Sequence, residues 1–355
     1  MDCKSFDDQL VSPNGNLLKL MRDYVCIRIT DMTGVDIGLF EFDPDITLYC
    51  FIMNADEQIY LRYGGRDDAS ADSYLNDDSL QLALEKGLTL HEKYQAGELP
   101  KTERPAPKFP GDYPEVKNGP LAKKQCVHCH HLGSGKTKLL QSQNKLDRLK
   151  DLWINPDIKN LGIELDVKKG LLVKNAEGAA AKAGLKKKDE IIKLEGKPVY
   201  SFGDLQYQLD KHPMDAKALK LTVLRKDAEV ELELALDKWW RVTDISRRSG
   251  THALEPFAEF WGKPLDKAEK RKLGIKENEF GLEVTKFWVK TNGQAAGLQV
   301  SDIVYAVDDV TESEYTSNPT TWIRLNKNTG DTITVKVLRA GKKLEFSFKL
   351  KAKPW

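Results

Sequence analysis

The chain has 355 residues, of which 40% are hydrophobic and 31% charged, and its 55 basic residues meet 54 acidic ones for a net charge of +1. That length exceeds one ordinary core and sets an expectation of two to four domains, while near-neutrality excludes the unopposed basic face that nucleic-acid binding requires. No apolar run reaches the roughly 18 residues of a bilayer-crossing segment, so protein or small-molecule partners are expected and a transmembrane segment is not.

At the front, YVCIRITDM reads as a strand, TLYCFIMNADEQIYLRYGGRD as a hairpin, and the region around LQLALEKGL as a helix. Cys26 and Cys50 sit inside the strand patterns and read as buried small hydrophobes. A strand, an Asn-Ala-Asp-Glu turn, a second strand ending in Gly-Gly-Arg and then a helix is similar to the back half of a thioredoxin-like domain. The resemblance implies an N-terminally incomplete α/β domain of that kind over residues 1–97. It also implies that Cys3, followed by Lys4, is the resolving cysteine of a redox motif whose attacking cysteine or selenocysteine falls before Met1. The proline expected beside such a motif has its nearest counterpart in Pro44, offset from the strand. A sheet without its central strand has two open edges. The expectation is therefore a natural protein longer than this sequence, its secretion signal lost with the true start, and a periplasmic or otherwise exported location.

Residues 98–154 are punctuated by proline and glycine and end in a helical KTKLLQSQNKLDRLKDLW. Within them QCVHCHHLG gathers two of five cysteines and three of six histidines. Cys126, Cys129 and His130 fit C-x-x-C-H, the attachment motif of c-type haem, in which two thioethers hold the porphyrin and the histidine is the proximal iron ligand. Two alternatives stay open. Zinc would draw on Cys126, Cys129, His128, His130 and His131, although the usual second ligand pair a dozen residues away is missing. A plain dithiol would support disulfide exchange. For haem, the opposite axial ligand would come from His91, His212, Met214 or His252, each of which also reads as an ordinary packing or surface residue.

Two later stretches repeat one pattern. LGIELDVKKGLLVKNAEGAAAKAGLKKKDEIIKLEGKPV, from Leu161, is echoed by FGLEVTKFWVKTNGQAAGLQVSDIVYAVDDV, from Phe280. Ala183-Gly184-Leu185 with Asp189 matches Ala296-Gly297-Leu298 with Asp302, and Val223-Leu224-Arg225 matches Val337-Leu338-Arg339. This grammar of alternating strands, a short helix ending in Ala-Gly-Leu and a charged hairpin resembles the PDZ domain of HtrA-class proteins. Two PDZ-like, partly open β-barrels are thus expected at 155–237 and 238–352, the second with a tryptophan-rich N-terminal extension, in a multidomain α+β protein.

The resemblance implies capture of protein C-terminal peptides. Leu161-Gly162-Ile163 and Phe280-Gly281-Leu282 would be the carboxylate-holding loops, and Leu205 and Leu209 would line the opposite wall or serve as plain core leucines. No protease triad is legible. The expectation is an exported redox or electron-transfer protein that recruits partners through its PDZ domains. Its alternatives are a non-catalytic scaffold with a structural metal, or a thiol oxidoreductase completed upstream of Met1.

Overall fold

The computed structural model describes residues 15–119, 126–287 and 289–352. Cys3 lies outside them. The chain divides into two compact units: residues 1–139 with 153–243, and residues 140–152 with 244–355.

In the first unit, helix α1 (Gly15–Met21) precedes an antiparallel hairpin of strands β1 (Tyr49–Met53) and β2 (Ile59–Gly64), and helix α2 (Asp77–Gln95) follows. Asn76 starts α2 by accepting the Ser79 N–H, with Asp77 and Asp78 in the first turn where the helix dipole favours negative charge. Leu17, Ile52, Leu61, Leu80, Ala83 and Leu84 form the core between hairpin and helices. The expected hairpin and helix are therefore present, but the strand expected over residues 24–32 is not. Residues 25–31 form no strand and are exposed, Val25 by 89% and Ile27 by 80%. A strand, unlike a helix, needs a lateral partner for its N–H and C=O groups. Cys26, expected to be buried, is exposed with it, whereas burial of Cys50 pushes that thiol up to about 12.

A short helix α3 (Pro114–Lys117) and helix α4 (Cys129–Ser142) follow. Next come strands β3 (Ile163–Leu165) and β4 (Val173–Ala176), helix α5 (Gly178–Lys182), strands β5 (Glu190–Leu194) and β6 (Lys197–Pro198), helix α6 (Phe202–Lys211), and strands β7 (Ala218–Arg225) and β8 (Ala228–Ala235). β3 and β4 pair with each other, and the other four form a sheet in the order β6-β5-β7-β8. Their inward residues, among them Ile163, Leu194, Leu205, Leu219 and Leu234, make one core.

The second unit holds helix α7 (Ser249–Ala253), strand β9 (Trp261–Pro264), helix α8 (Lys267–Lys272), strand β10 (Leu282–Lys286), helix α9 (Asn292–Ala296), strand β11 (Ile303–Val307), helix α10 (Pro319–Asn326) and strands β12 (Thr332–Arg339) and β13 (Lys342–Lys349). Its sheet runs β13-β12-β11-β10-β9, antiparallel throughout. The architecture is mixed α+β with open sheets; no closed barrel forms among the described residues.

Candidate functional site

The groove is built from β3, the turn before it and α6. Residues 158–161 form a 3-10 turn whose start is capped by the Asp157 carboxylate, which accepts the Lys159 N–H at 2.9 Å. Gly162 ends the turn at φ 79°, and its carbonyl accepts the Glu177 N–H at 2.7 Å. A Cβ at Gly162 would strike the Glu177 carbonyl, so backbone approach and left-handed φ both demand glycine. The Gly162 N–H donates to Lys159 O at 2.9 Å, so one of the three amides assigned to carboxylate capture is already engaged. Leu161, Ile163, Leu205 and Leu209 are all buried in one core cluster.

Between β3 and α6 lies a stretch of the N-terminal region. Tyr74 belongs to the same buried cluster as Leu161, Ile163 and Leu165, and its ring stacks on Phe202 with centroids 3.3 Å apart and planes 6° from parallel. Burial raises the Tyr74 hydroxyl well above its ordinary pKa, with the nearby carboxylates of Asp157, Asp67 and Glu164 adding to the effect. Gln206 reads the backbone of Arg66 from both sides: its Oε1 accepts the Arg66 N–H at 3.2 Å and its Nε2 donates to Arg66 O at 2.8 Å. Gly65, at φ 117°, lies so close to the Phe202 ring that a Cβ would sit 2.6 Å from it.

The rest of α6 is held by β2. Asp204 accepts the Arg62 N–H at 2.9 Å, Ser201 Oγ donates to Arg62 O, and the Arg62 guanidinium lies 3.8 Å over the Tyr207 ring. Burial lifts the Asp204 carboxyl to about 7, against the pull of the Arg62 N–H and guanidinium. Lys159 reaches Asp67 at 2.6 Å, and Asn76 Nδ2 reaches Val167 O at 3.4 Å. The composition of GGRDDASADSYLN, polar and turn-rich, carries no signal for this docking; only the lone tyrosine hints at an anchor.

The second unit repeats a set of hydrogen bonds of the first. Arg225 pairs with both oxygens of Asp189 at 2.7 and 2.6 Å and donates to Gly184 O at 2.8 Å. Arg339 pairs with both oxygens of Asp302 at 2.6 and 2.7 Å and donates to Gly297 O at 2.8 Å. Val173 accepts from Lys188 N and donates to Asp189 O as Val284 does with Ser301 N and Asp302 O. This register matches Val173 with Val284, and so Phe280-Gly281-Leu282 with Lys169-Gly170-Leu171. The segment assigned as the second carboxylate loop is thus the counterpart of the turn before β4. β9 pairs with β10 as β3 pairs with β4. Ahead of β9, Glu259 takes the left-handed conformation at φ 72°, and its buried carboxylate accepts the Asn292 N–H at 2.7 Å at the start of α9.

The Cys/His segment forms a separate small site. The Val127 carbonyl accepts the Met32 N–H at 2.8 Å, the Val127 N–H donates to Asp31 at 3.0 Å, and Val127 and Leu132 are buried with Met32 and Val116. Cys126 is exposed, and Cys129 is the first residue of α4 and partly buried. The rings of His128 and His130 are parallel at 5.8 Å, and those of His130 and His131 meet edgewise at 4.3 Å. Burial and then the neighbouring imidazoles lower the basicity of His130 and His131. Among the described residues no three His, Cys, Asp or Glu side chains converge to hold a metal ion. Tested against haem, the two thiols and the imidazole of the attachment motif are present, while Val127 and Leu132 pack against Met32 and Val116. His91 bonds Tyr60 Oη at 2.8 Å, His212 bonds Ala218 O at 2.9 Å and His252 bonds Ser246 O at 2.7 Å. The Met214 carbonyl accepts from Trp240 Nε1 at 3.2 Å.

Fold and groove together define a PDZ domain, and residues 160–236 match the PDZ domain family. Among curated proteins, the periplasmic pH-dependent serine endoprotease DegQ of Escherichia coli (strain K12) is 29% identical over 146 residues, which is 41% of this chain and 29% of DegQ. The chain thus spans less than a third of that relative's length. Among solved structures, the HtrA-type protease AlgW with decapeptide aligns over 39% of this chain and 42% of its own, at 14% identity and a TM-score of 0.24. AlgW with tripeptide aligns over 48% and 55%, at 14% identity and a TM-score of 0.25.

Proposed function

We propose that this is an exported peptide-binding protein whose PDZ domain at 160–236 grips extended protein segments, C-termini among them. One observation carries the reading: the space between β3 and α6 already accepts protein, reading a backbone amide through Gln206 and seating an aromatic side chain on Phe202. Binding of an extended peptide beside a strand draws its strength from such backbone contacts and its selectivity from the side-chain pocket. The periplasmic relative supports the exported location. The second unit, with its repeated Asp302–Arg339 centre, serves as a second PDZ-like module. Titrating the full chain with a fluorescein-labelled decapeptide ending in an apolar residue tests the reading by anisotropy. The free acid should bind at least about tenfold more tightly than the C-terminal amide, a difference of about 1.4 kcal/mol. Equal affinities would exclude capture of chain ends.

A second reading attaches to residues 126–131, because Cys126 is exposed beside Cys129 at a helix start with three imidazoles adjoining. Such thiols are accessible for covalent attachment of haem or for thiol exchange, within a redox protein whose N-terminal region is thioredoxin-like. Haem, if attached, would supply electron transfer, and Cys126, Cys129 and His130 are the residues that would hold it. Expression in an export host with haem-maturation machinery should yield a Soret band that survives denaturation and is lost in Cys126→Ala; a colourless product with one zinc per chain supports the scaffold alternative instead.

A further inference from the structure

Resting on the peptide-binding reading, we propose that the groove of the first unit is held shut by the chain itself: the loop from Gly64 to Asn76 lies in it as an internal ligand, with Tyr74 as the plug, and an outside peptide binds by displacing it. Three independent anchors hold the loop. Tyr74 is stacked on Phe202 and only 5% exposed. The backbone of Arg66 is bracketed by Gln206 as donor and acceptor. Asp67 folds the loop on itself, accepting from Ala69 N at 3.0 Å, Ser70 N at 2.8 Å and Ser73 Oγ at 2.6 Å, while its second oxygen takes Lys159 from the turn ahead of β3.

The loop nevertheless occupies the groove through side chains and the N–H and C=O of Arg66, not as an added strand. No backbone hydrogen bond between residues 64–76 and β3 is present among the described residues. A competing peptide would gain those strand bonds, which the loop forgoes, and so has a way to win. A small, partly open cavity with room for about one water molecule is lined by Tyr63, Tyr74, Val167, Gly170 and Phe202. The pocket's present occupant also states its preference. A ring lying flat on Phe202 is the shape to be matched, so the competing ligand should carry an aromatic residue there.

The test uses the full chain and a fluorescein-labelled decapeptide ending in Val-Tyr with a free carboxylate, beside the same peptide ending in Val-Ala. Tyr74→Ala should bind the Val-Tyr peptide at least about tenfold more tightly than the parent, and more tightly than it binds Val-Ala. Asp67→Ala, which unties the loop and leaves the aromatic core intact, should shift affinity the same way, and it decides the matter if Tyr74→Ala fails to fold. In the parent, peptide addition should speed hydrogen exchange across residues 64–76. Folded variants that bind no more tightly than the parent would overturn the plug and leave the peptide-binding reading standing; absence of binding by every form would overturn both.

Discussion

Asp204 is a carboxyl group that burial keeps protonated well above the ordinary carboxylate range. It is wholly buried where α6 meets β2, facing the Arg62 N–H and guanidinium from β2 and the Ser201 hydroxyl and Tyr200 N–H from its own side. Burial lifts it from 3.8 to about 7, so between those values the folded chain holds a proton that the unfolded chain has released. Its contribution to stability is complete below the lower value and is lost as pH rises through the upper one. The urea midpoint of the first unit should therefore fall from about pH 4 to about pH 7, and Asp204→Asn, neutral at every pH, should flatten that decline. An unchanged slope in the variant would assign the dependence to other groups. Residue chemistry was unevenly legible at this scale. Gly162 announces its role because only glycine fits there, whereas nothing in a string of Asp, Ser and Ala around Tyr74 says that it will lie against Phe202.

Elements divide by whether their bonds are internal. Helix α2 was readable from Asn76, the two aspartates after it and the leucine spacing, since a helix satisfies its own backbone and the sequence holds both cap and face. The hairpin of β1 and β2 was readable because its partner lies six residues away across a turn. The run Tyr24–Thr30 has the same alternation, yet it forms no strand, because a strand's bonds depend on a neighbour that its own residues do not name. At the centre of the second unit, β12 is tied to the start of β11 through Arg339 and Asp302, the latter fully buried. Removing one partner of such a pair strands the other charge. Asp302→Ala should lower stability by about 3 kcal/mol, at the low end of the usual cost because Arg339 is partly exposed. A calorimetric shift no larger than that of a surface Asp→Ala control would show that the pair is not structural.

Across the whole molecule, the repeat is the clearest sequence signal after the Cys/His cluster, and each copy holds the same Asp–Arg pair, at Asp189 and at Asp302. The sequence alignment placed the second loop at Phe280 because Phe-Gly-Leu resembles Leu-Gly-Ile. Hydrogen bonding places Phe280-Gly281-Leu282 at the entry to β10 instead, since strand register is read from backbone pairing and a three-residue likeness does not encode it. The Cys/His segment was conspicuous as sequence, yet its valine and leucine turn inward to a small core beside Met32.

The amino-acid order alone carries the inventory: a pattern of strands and short helices written twice, the first copy matching the PDZ family, a hairpin and helix at the front, and a cysteine-histidine cluster between them. Each is encoded by residues within a few positions of one another, where spacing and backbone preference suffice. The tertiary structure decided which surfaces meet. It brought the loop at 64–76 into the groove between β3 and α6, because contacts between residues some 90 to 140 positions apart, as Lys159 with Asp67 and Gln206 with Arg66, depend on how packed elements present their faces and not on any local pattern.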